Sequence, residues 1–534
     1  MSKIWRRAVL TLLAGTAALA SAQAQTLDPN IQELIRRYPV EEVDGRKVVR
    51  ISIRDVLELA QQRSLSISAA KLGIQAAQQT LTATDYRNTA TLTTSLQQGK
   101  TVSSSSTLDT NFKNLTATDA ETLTATLAKK DDLGITYGLT YQEVRSKFTG
   151  ISIANAGDSS TTGASTDPVN ASATTLSVTV PLFKNGGYTY NTIPVRQAEV
   201  GVQRSQASTR KTELDLLSQI AQTYWTLVGA IETVRVRQEA VKLSQQLLTD
   251  NRVRLQAGVL SPADVQATET QLAQDKQNLL NARLQVLSIE DQVRAALNLE
   301  GLDVGLLPKD TPNLRSDNYE VQSQLDLMYK TVPDLALTQA DIDNAKYTLA
   351  LEKNNDRTQL DLSAFYTFNG YSDAWFKSSQ YYTDSNLQGY GVVLTYTLPL
   401  FDKATPANIQ RRTLEQAQVE QRYSDQKSAL SVQLQSALRN IRLAQEQVST
   451  ARDSVRLAEV QLNNEIERFK LGRSTAFTVS QLQQALDVAR LAEIQARVTF
   501  EQNDLQRLVL TGNLFDHYKL QQTVDPEQVQ QQKK

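Results

Sequence analysis

Two long stretches of the chain place an apolar residue at every seventh position. A strict seven-residue apolar repeat keeps one seam of an α-helix facing a partner helix and imposes a left-handed supercoil. Each series ends three residues before a glycine, Gly258 in the first stretch and Gly472 in the second. The two series are Ile220, Leu227, Val234, Val241, Leu248 and Leu255, and Leu434, Ile441, Val448, Val455, Leu462 and Phe469. Matching series in one chain indicate a tandem duplication.

The flanking residues predict where the helices begin and end. Pro194 and Pro406 suit a first helical turn, and the two glycines suit a helix stop. At 1.5 Å per residue each long helix would run for about 100 Å. We expect return helices over about 261–299 and 475–511, and shorter opening helices over about 54–85 and 320–353, the last with a kink at Pro333. Each repeat should therefore form a rod two helices wide.

Between the short and the long helix of each repeat, the apolar period changes from about 3.5 to 2, which indicates β-strands. Candidate strands cover about 89–98 and 176–183 in the first repeat, and about 360–368 and 394–400 in the second. The last strand of each repeat ends in a Pro-Leu-Phe sequence. The strand-to-helix junctions are therefore assigned to Pro181, Phe183, Pro399 and Phe401.

The first repeat carries an insert of about 50 residues in its strand region. It holds two further alternating runs, 122–128 and 135–141, joined by a tight turn over 130–134. The Ser/Thr-rich runs 101–111 and 155–167 are expected to form exposed loops. The insert allows two or four long strands in this repeat, which would give a trimer twelve or eighteen strands. The modest apolar face of Leu123, Ala125 and Leu127 and equal strand counts from the two repeats favour two, with the Thr122–Tyr141 hairpin outside the barrel formed by the other strands.

Composition excludes several classes of protein. The chain has no cysteine, one histidine (His517) and a formal net charge of −1, so thiol catalysis, Cys/His zinc sites and attraction of nucleic acid are not expected. Basic residues, an apolar run at 8–19 and small residues up to Ala24 predict a secretory signal peptide. The rest contains no apolar segment of about 20 residues, so we expect membrane insertion as strands only. One chain has too few strands to close a conducting barrel, and several copies should pool them.

These patterns divide the chain into six segments. They are a signal peptide (1–24), an N-terminal periplasmic segment (25–51), a first repeat (52–300), a linker (301–319), a second repeat (320–512) and a polar C-terminal tail (513–534).

The paired Pro-Leu-Phe strand ends, the long helices and the tips "RLQAGVLSPADVQATETQLAQ" and "RFKLGRSTAFTVSQLQQALD" resemble the TolC family of outer-membrane efflux proteins. The resemblance covers about 53–512. It implies an α+β membrane protein: a trimeric β-barrel in the outer membrane, continued by a long periplasmic coiled-coil α-helical barrel. It also implies a homotrimer in outer-membrane lipid whose tips dock on a periplasmic adaptor (membrane fusion) protein served by an inner-membrane pump of unknown class.

The resemblance points to tip and adaptor-docking residues at Gly258, Asp264 and Gly472, and Arg254 and Arg468 lie just before the two glycines. The arginines would contact an adaptor or join neighbouring tips; the alternative for each of these charges is a solvated helix-end residue. Where well-studied family members narrow the tunnel with an aspartate pair, this chain has Thr478 and Gln481. These two residues predict a neutral periplasmic constriction.

The expected function is an export channel, the exit duct of a tripartite efflux or type I secretion system. The alternatives are a periplasmic adaptor, which would have a single hairpin, and a structural coiled-coil envelope protein, which would not need two membrane-ready strand pairs. Because no phosphate loop, metal-ligand cluster or catalytic histidine occurs within the repeats, we expect no enzyme activity, cofactor or metal. The sequence does not identify the substrate, the pump or the adaptor.

Overall fold

The computed structural model describes residues 40–43, 46–106, 112–154, 162–165, 167–258, 260–299, 305–312 and 319–521. The proposed signal peptide, 1–24, lies outside these residues. Among the described residues, each helix is too short or too polar to cross a membrane.

The first repeat and the strands before it follow one another in chain order. Their elements are β1 (Val40–Val43), β2 (Arg46–Ile51), α1 (Ile53–Arg63), α2 (Leu65–Asp85), β3 (Thr91–Ser106), β4 (Phe112–Lys130), β5 (Thr136–Ala154), β6 (Thr162–Ser165), β7 (Val169–Pro181), α3 (Ile193–Gln256) and α4 (Pro262–Ala296).

The second repeat has the same order of helix, strands and helical hairpin, without the insert. Its elements and those beside it are β8 (Gly305–Pro308), α5 (Val321–Thr331), α6 (Pro333–Asn355), β9 (Gln359–Ser372), β10 (Gln388–Thr397), α7 (Ala404–Lys470), α8 (Ala476–Leu510) and α9 (Leu514–Tyr518). The prediction of two long and two return helices is confirmed, because α3, α4, α7 and α8 lie where the heptads and glycines put them.

The opening helix of the first repeat is broken, which the sequence prediction of one helix over 54–85 missed. α1 ends at Arg63, and the Ser64 hydroxyl accepts a hydrogen bond from the Ile67 N–H to cap α2. The second repeat breaks at the equivalent Val332, before Pro333. A serine N-cap and a proline are two solutions to the same helix start.

A three-stranded sheet beside the middle of the rods was also missed. β2 pairs with β1 in antiparallel and with β8 in parallel orientation, so 301–319 is more than a linker. The C-terminal segment likewise begins with α9, whose Leu514 and Phe515 are buried, instead of a polar tail. Together these elements cover the largest apolar core, centred on Tyr224 of α3.

The long strands form one sheet in the order β3-β4-β5-β7-β9-β10, with β6 added to β5. The prediction that the Thr122–Tyr141 hairpin lies outside the sheet is wrong. β4 and β5 pair over 19 residues, and they lie between β3 and β7. The reason is register: Leu127 lies opposite Leu92 of β3 and Leu139 of β5, and Leu123 lies opposite Leu96 of β3, so the hairpin continues the apolar face.

The loop prediction for the two Ser/Thr-rich runs is wrong over 101–106, which continues β3 opposite β4, and over 162–165, which forms β6 beside β5. Residues 107–111, 155–161 and 166 lie outside the described part of the chain. Thr101 and Val102 are β-branched and favour a strand, and pairing with β4 satisfies the backbone of the serines that follow. The tight turn between β4 and β5 is confirmed. Asp131 accepts hydrogen bonds from the N–H groups of Leu133 and Ile135, and Gly134 has φ +92°.

Candidate channel wall and periplasmic tips

One face of the sheet carries an uninterrupted row of large apolar side chains. The row crosses all six long strands through directly opposed residues: Leu92, Leu127, Leu139, Leu176, Tyr366 and Tyr390. Further along the same face, Val180, Leu362 and Leu394 stand opposite one another on β7, β9 and β10. Apolar pairs at this spacing stabilise the sheet and give it a face suited to a non-aqueous medium.

The opposite face carries a matching row of threonines one residue along each strand. This row consists of Thr93, Thr126, Thr140, Thr175 and Thr367, and it ends at Gly389. The hydroxyls of Thr126 and Thr140 are 3.3 Å apart, and those of Thr175 and Thr367 are 3.0 Å apart. The sheet therefore has one apolar and one hydroxyl-rich face, as expected for a wall between lipid and water.

The loop between β9 and β10 folds over the apolar face at the end far from the helices. Glu143 is fully buried beneath it and accepts hydrogen bonds from the Phe376 N–H and the Tyr141 hydroxyl, both at 2.7 Å. The Tyr382 hydroxyl adds a bond to Ser172 at 2.9 Å. These contacts satisfy the buried Glu143 carboxylate.

The end of the sheet near the helices is tied to them by Arg87. Its guanidinium donates hydrogen bonds to the Asp132 carboxylate at 2.9 Å and to the Asn191 carbonyl at 2.6 Å. The β4–β5 turn is thereby fixed against the start of α3.

The four junction residues lie in the two strand-to-helix connections. Pro181 is the last residue of β7, and Pro399 follows the end of β10. Phe183 and Phe401 are exposed, and Phe401 has a left-handed φ of +59°. Asp402 then accepts hydrogen bonds from the N–H groups of Ala404 and Thr405, which starts α7.

Gly258 and Gly472 form the turns at the two tips. Their φ angles are +73° and +72°, and no atom lies within 4 Å of where a Cβ would stand. The left-handed backbone, and not lack of space, therefore favours glycine here.

The two tip arginines have different surroundings. Arg254 of α3 lies over the ring of Phe469 of α7 and donates to its carbonyl oxygen, so it joins the two tips of one chain. Arg468 is exposed and pairs with Glu465 one turn earlier on its own helix. Phe469 was predicted as a seam residue only, because nothing in the heptad shows that its ring also receives an arginine.

Asp264 and Thr478 occupy the same position in their two return helices. The Asp264 carboxylate accepts hydrogen bonds from the Ser261 hydroxyl and N–H, which lower the pKa of this carboxyl below its usual value. In the second tip, Thr475 caps α8 and its hydroxyl is 2.9 Å from that of Thr478. Asp264 and Thr478 thus each contact the N-cap residue of their own helix. Gln481 is exposed one turn further along α8.

Above the tips the two hairpins contact each other along α3, α4 and α8. Arg490 of α8 bridges Glu239 of α3 and Glu459 of α7, at 2.5 and 2.8 Å. Leu247 of the first hairpin packs with Val479 and Leu486 of the second. In the described part of the chain, no group of three or more His, Asp or Glu residues is placed to hold a metal ion.

Comparison with known proteins identifies the family. The profile described as "Outer membrane efflux protein" matches residues 132–299 and 326–512. No curated sequence matches the chain well enough to count as a relative.

Solved structures show the same fold at low sequence identity. The CmeC outer membrane channel of Campylobacter jejuni matches with a TM-score of 0.61 and 12% identity, over 90% of this chain and 88% of that one. VceC of Vibrio cholerae matches with a TM-score of 0.60 and 14% identity, over 86% and 96% of the two chains. The open-state MtrE channel of Neisseria gonorrhoeae matches with a TM-score of 0.57 and 15% identity, over 86% and 89%.

The family match extends over both repeats and well over half of the chain. Together with the channel folds, it confirms the resemblance to the TolC family. This protein therefore belongs to the outer membrane efflux proteins, the TolC-like channels of the outer membrane.

Proposed function

We propose that three copies of this chain form one export duct, with an eighteen-stranded barrel in the outer membrane and a periplasmic tunnel of helices. One observation carries the proposal: the apolar row and the threonine row run side by side across all six long strands. Such a sheet fits lipid on one face and a water-filled lumen on the other.

The edges of the sheet support pooling of strands between copies. Among the described residues, β3 and β10 each have one neighbour in the sheet and leave their outer edges unpaired. An open edge is not tolerated in hydrocarbon, so β3 of one copy would pair with β10 of the next. β10 has 10 residues, about the length that a tilted strand needs to cross a bilayer, and β4 and β5 would project beyond it.

The helical hairpins supply the periplasmic part. Gly258 and Gly472, with Arg254, Asp264 and Arg468 around them, would form the surface that docks on a periplasmic adaptor served by an inner-membrane pump. Exposed Leu471 and Phe477 at the second tip would add apolar contacts to this surface. Thr478 and Gln481 would face a neutral constriction between the three copies.

A periplasmic adaptor or a passive coiled-coil protein fits less well. Neither needs a sheet with a leucine and tyrosine row on one side and a threonine row on the other. The exported substrate would be selected mainly by the pump.

The assembly is tested by mass photometry of the detergent-extracted protein. We expect a homotrimer, and a variant lacking Thr122–Tyr141 should fail to form it, because β3 and β7 would lose their partners. A monodisperse wild-type monomer would exclude the shared barrel, and a stable trimer without the hairpin would exclude the eighteen-stranded wall.

The docking role is tested separately by export. Replacing both Gly258 and Gly472 with valine should abolish export while the trimer still inserts into membranes. Unchanged export would remove the tips from the mechanism.

A further inference from the structure

A buried polar cluster lies between the two hairpins, a few helical turns from the tips. It contains two carboxylates from different return helices, Asp275 of α4 and Asp487 of α8, and both are more than nine-tenths buried. They line a cavity of about 10 Å³ together with Ser244 and Gln483. This space holds at most one water molecule, so a hydrated cation does not fit between the carboxylates.

The hydrogen bonds in this cluster leave more acceptors than donors. Asp275 accepts from the Ser244 hydroxyl and from the Gln271 amide, the latter at 2.9 Å. Asp487 accepts from the Gln483 amide at 2.8 Å. The Gln483 side-chain oxygen also lines the cavity, is buried, and has no hydrogen-bond partner among the described residues. A proton on one carboxyl would convert an acceptor into the missing donor.

Charged groups on every neighbouring helix act on Asp487. Arg237 of α3 and Arg490 of α8 favour its charged form, whereas Asp275 of α4 opposes it. Arg490 already forms ion pairs with Glu239 of α3 and Glu459 of α7, which weakens its attraction for the Asp487 carboxylate. Burial outweighs the attraction of Arg237 and Arg490, so the surroundings favour the neutral form of the Asp487 carboxyl.

We propose that Asp487 and Asp275 form a proton-binding site that couples the packing of the two hairpins to periplasmic pH. With the proton bound, the cluster is satisfied and α4 packs against α8. With the proton lost, two buried negative charges repel each other and favour separation of the hairpins. The consequence for opening of the duct rests on the proposed function.

The direction of the pH dependence follows from the carboxyl. Burial, followed by the charge of Asp275, raises the pKa of Asp487 from 3.8 to about 6. A raised pKa means that the packed state binds the proton more tightly than the separated state. The stabilisation of the packed state is thus fully present below about pH 4 and is lost as the pH rises through about 6. Over this whole range the equilibrium constant between the packed and the separated state changes by at most about a hundredfold.

Hydrogen exchange of the purified trimer, measured at several pH values and corrected for intrinsic exchange, tests the proposal. Amides of α4 and α8 around Asp275 and Asp487 should lose protection by about tenfold between pH 5 and 7.5, because a carboxyl with a pKa of about 6 stabilises the packed state about tenfold at pH 5. Asp487→Asn, which stays neutral, should keep the low-pH protection throughout. The control Asp453→Asn alters an exposed carboxylate that pairs with Arg456 on its own helix. It should show the same step, that is, the same loss of protection with rising pH, as the wild type.

Asp275→Asn provides an independent variant, because removal of its charge should shift the step to lower pH. A wild-type profile without a step, an unchanged step in Asp487→Asn, or an unmoved step in Asp275→Asn would each overturn the proposal. Recovery of protection at pH 7.5 on addition of MgCl2 would also overturn it, since a metal ion and not a proton would then occupy the site. Exchange is measured without a pump or adaptor, so failure here is distinguishable from failure of the export tests.

Discussion

The guanidinium carbon of Arg254 lies 4.2 Å from the ring centroid of Phe469, and the same side chain donates a 3.1 Å hydrogen bond to the Phe469 carbonyl oxygen. The last turn of one hairpin is thereby held on the last turn of the other. This contact joins the two tips of one chain.

Arg254→Ala should loosen the tips, because it removes both the cation–π contact and the hydrogen bond. A loss of about 1 kcal/mol corresponds to roughly fivefold faster amide exchange near the end of α7. Arg468→Ala is the matched control, since within the described residues Arg468 pairs with Glu465 on its own helix. It should leave exchange at the α3 tip unchanged. Equal effects of both variants would show that the contact between hairpins contributes nothing.

The side chains of Leu139 and Thr140, neighbours on β5, lie on opposite faces of the sheet. Substituting each of them therefore tests which face contacts lipid. Leu139→Lys should impair membrane insertion of the trimer, at a cost of about 2–4 kcal/mol if it lies near the bilayer centre. Thr140→Lys should insert normally and shift the ion selectivity of single channels toward anions. Heat resistance of the inserted trimer and reversal potentials in planar bilayers measure the two effects. A reversed outcome would mean that the faces are exchanged.

Three glycine-to-alanine changes separate backbone strain from lack of space. Gly472→Ala should cost about 1 kcal/mol, because its φ is left-handed but its surroundings are open. Gly512→Ala should cost more, since a Cβ there would lie 2.9 Å from the Thr331 Cβ. Gly201→Ala, inside α3 with open space around it, should stabilise the helix by up to about 1 kcal/mol. Thermal unfolding of the three purified variants should rank their stabilities as Gly201→Ala, then Gly472→Ala, then Gly512→Ala, from most to least stable.

Tyr224 fixes α3 to the chain segments around the three-stranded sheet. Its hydroxyl donates toward the Asp310 carboxylate at 2.6 Å and the Ile51 carbonyl at 3.1 Å. Tyr224→Phe should therefore destabilise the protein by about 1–3 kcal/mol in denaturant unfolding. Tyr188→Phe, at an exposed tyrosine, should change stability by less than about 0.5 kcal/mol.

The same tyrosine should make the stability of the folded protein fall at alkaline pH. Burial, together with the hydrogen bond and charge of Asp310, raises the pKa of Tyr224 well above its usual value. The folded state thus favours the neutral hydroxyl, and its contribution is complete below about pH 10 and is lost as the pH rises further. Wild type should lose more stability than Tyr224→Phe between pH 9 and 11. Parallel losses in the two proteins would contradict this assignment.

Local sequence patterns were sufficient to predict the long helices and the tips. Heptads from Ile220 to Leu255 define one seam of α3, and a single glycine marks its end. The break at Ser64 was harder, because Ser-Leu-Ser within an apolar pattern is compatible with a continuous helix. Comparison with the equivalent Val332-Pro333 would have located it.

Relationships between distant segments could not be predicted. Nothing near Val48 specifies a parallel partner at Gly305, and Leu123 reads as a weak strand residue until its neighbours in the sheet are known. Asp275 and Asp487 likewise look like ordinary helix-surface carboxylates, since only the packing of one hairpin on the other buries them. The contact of Arg254 with Phe469 has the same origin.

The parallel pairing of β2 with β8 has a consequence for the order in which the chain folds. Val48 can pair with Gly305 only after the entire first repeat has been synthesised and exported. The pairing therefore closes a very long loop and forms late in folding. Until then β2 has β1 on one side and an unsatisfied edge on the other, which other proteins could bind. A chain truncated before Gly305 would keep that edge exposed, whereas one ending after Thr311 would already contain both partners. The three-stranded sheet is thus completed only when the four residues of β8, which follow the first repeat, have been added to the chain.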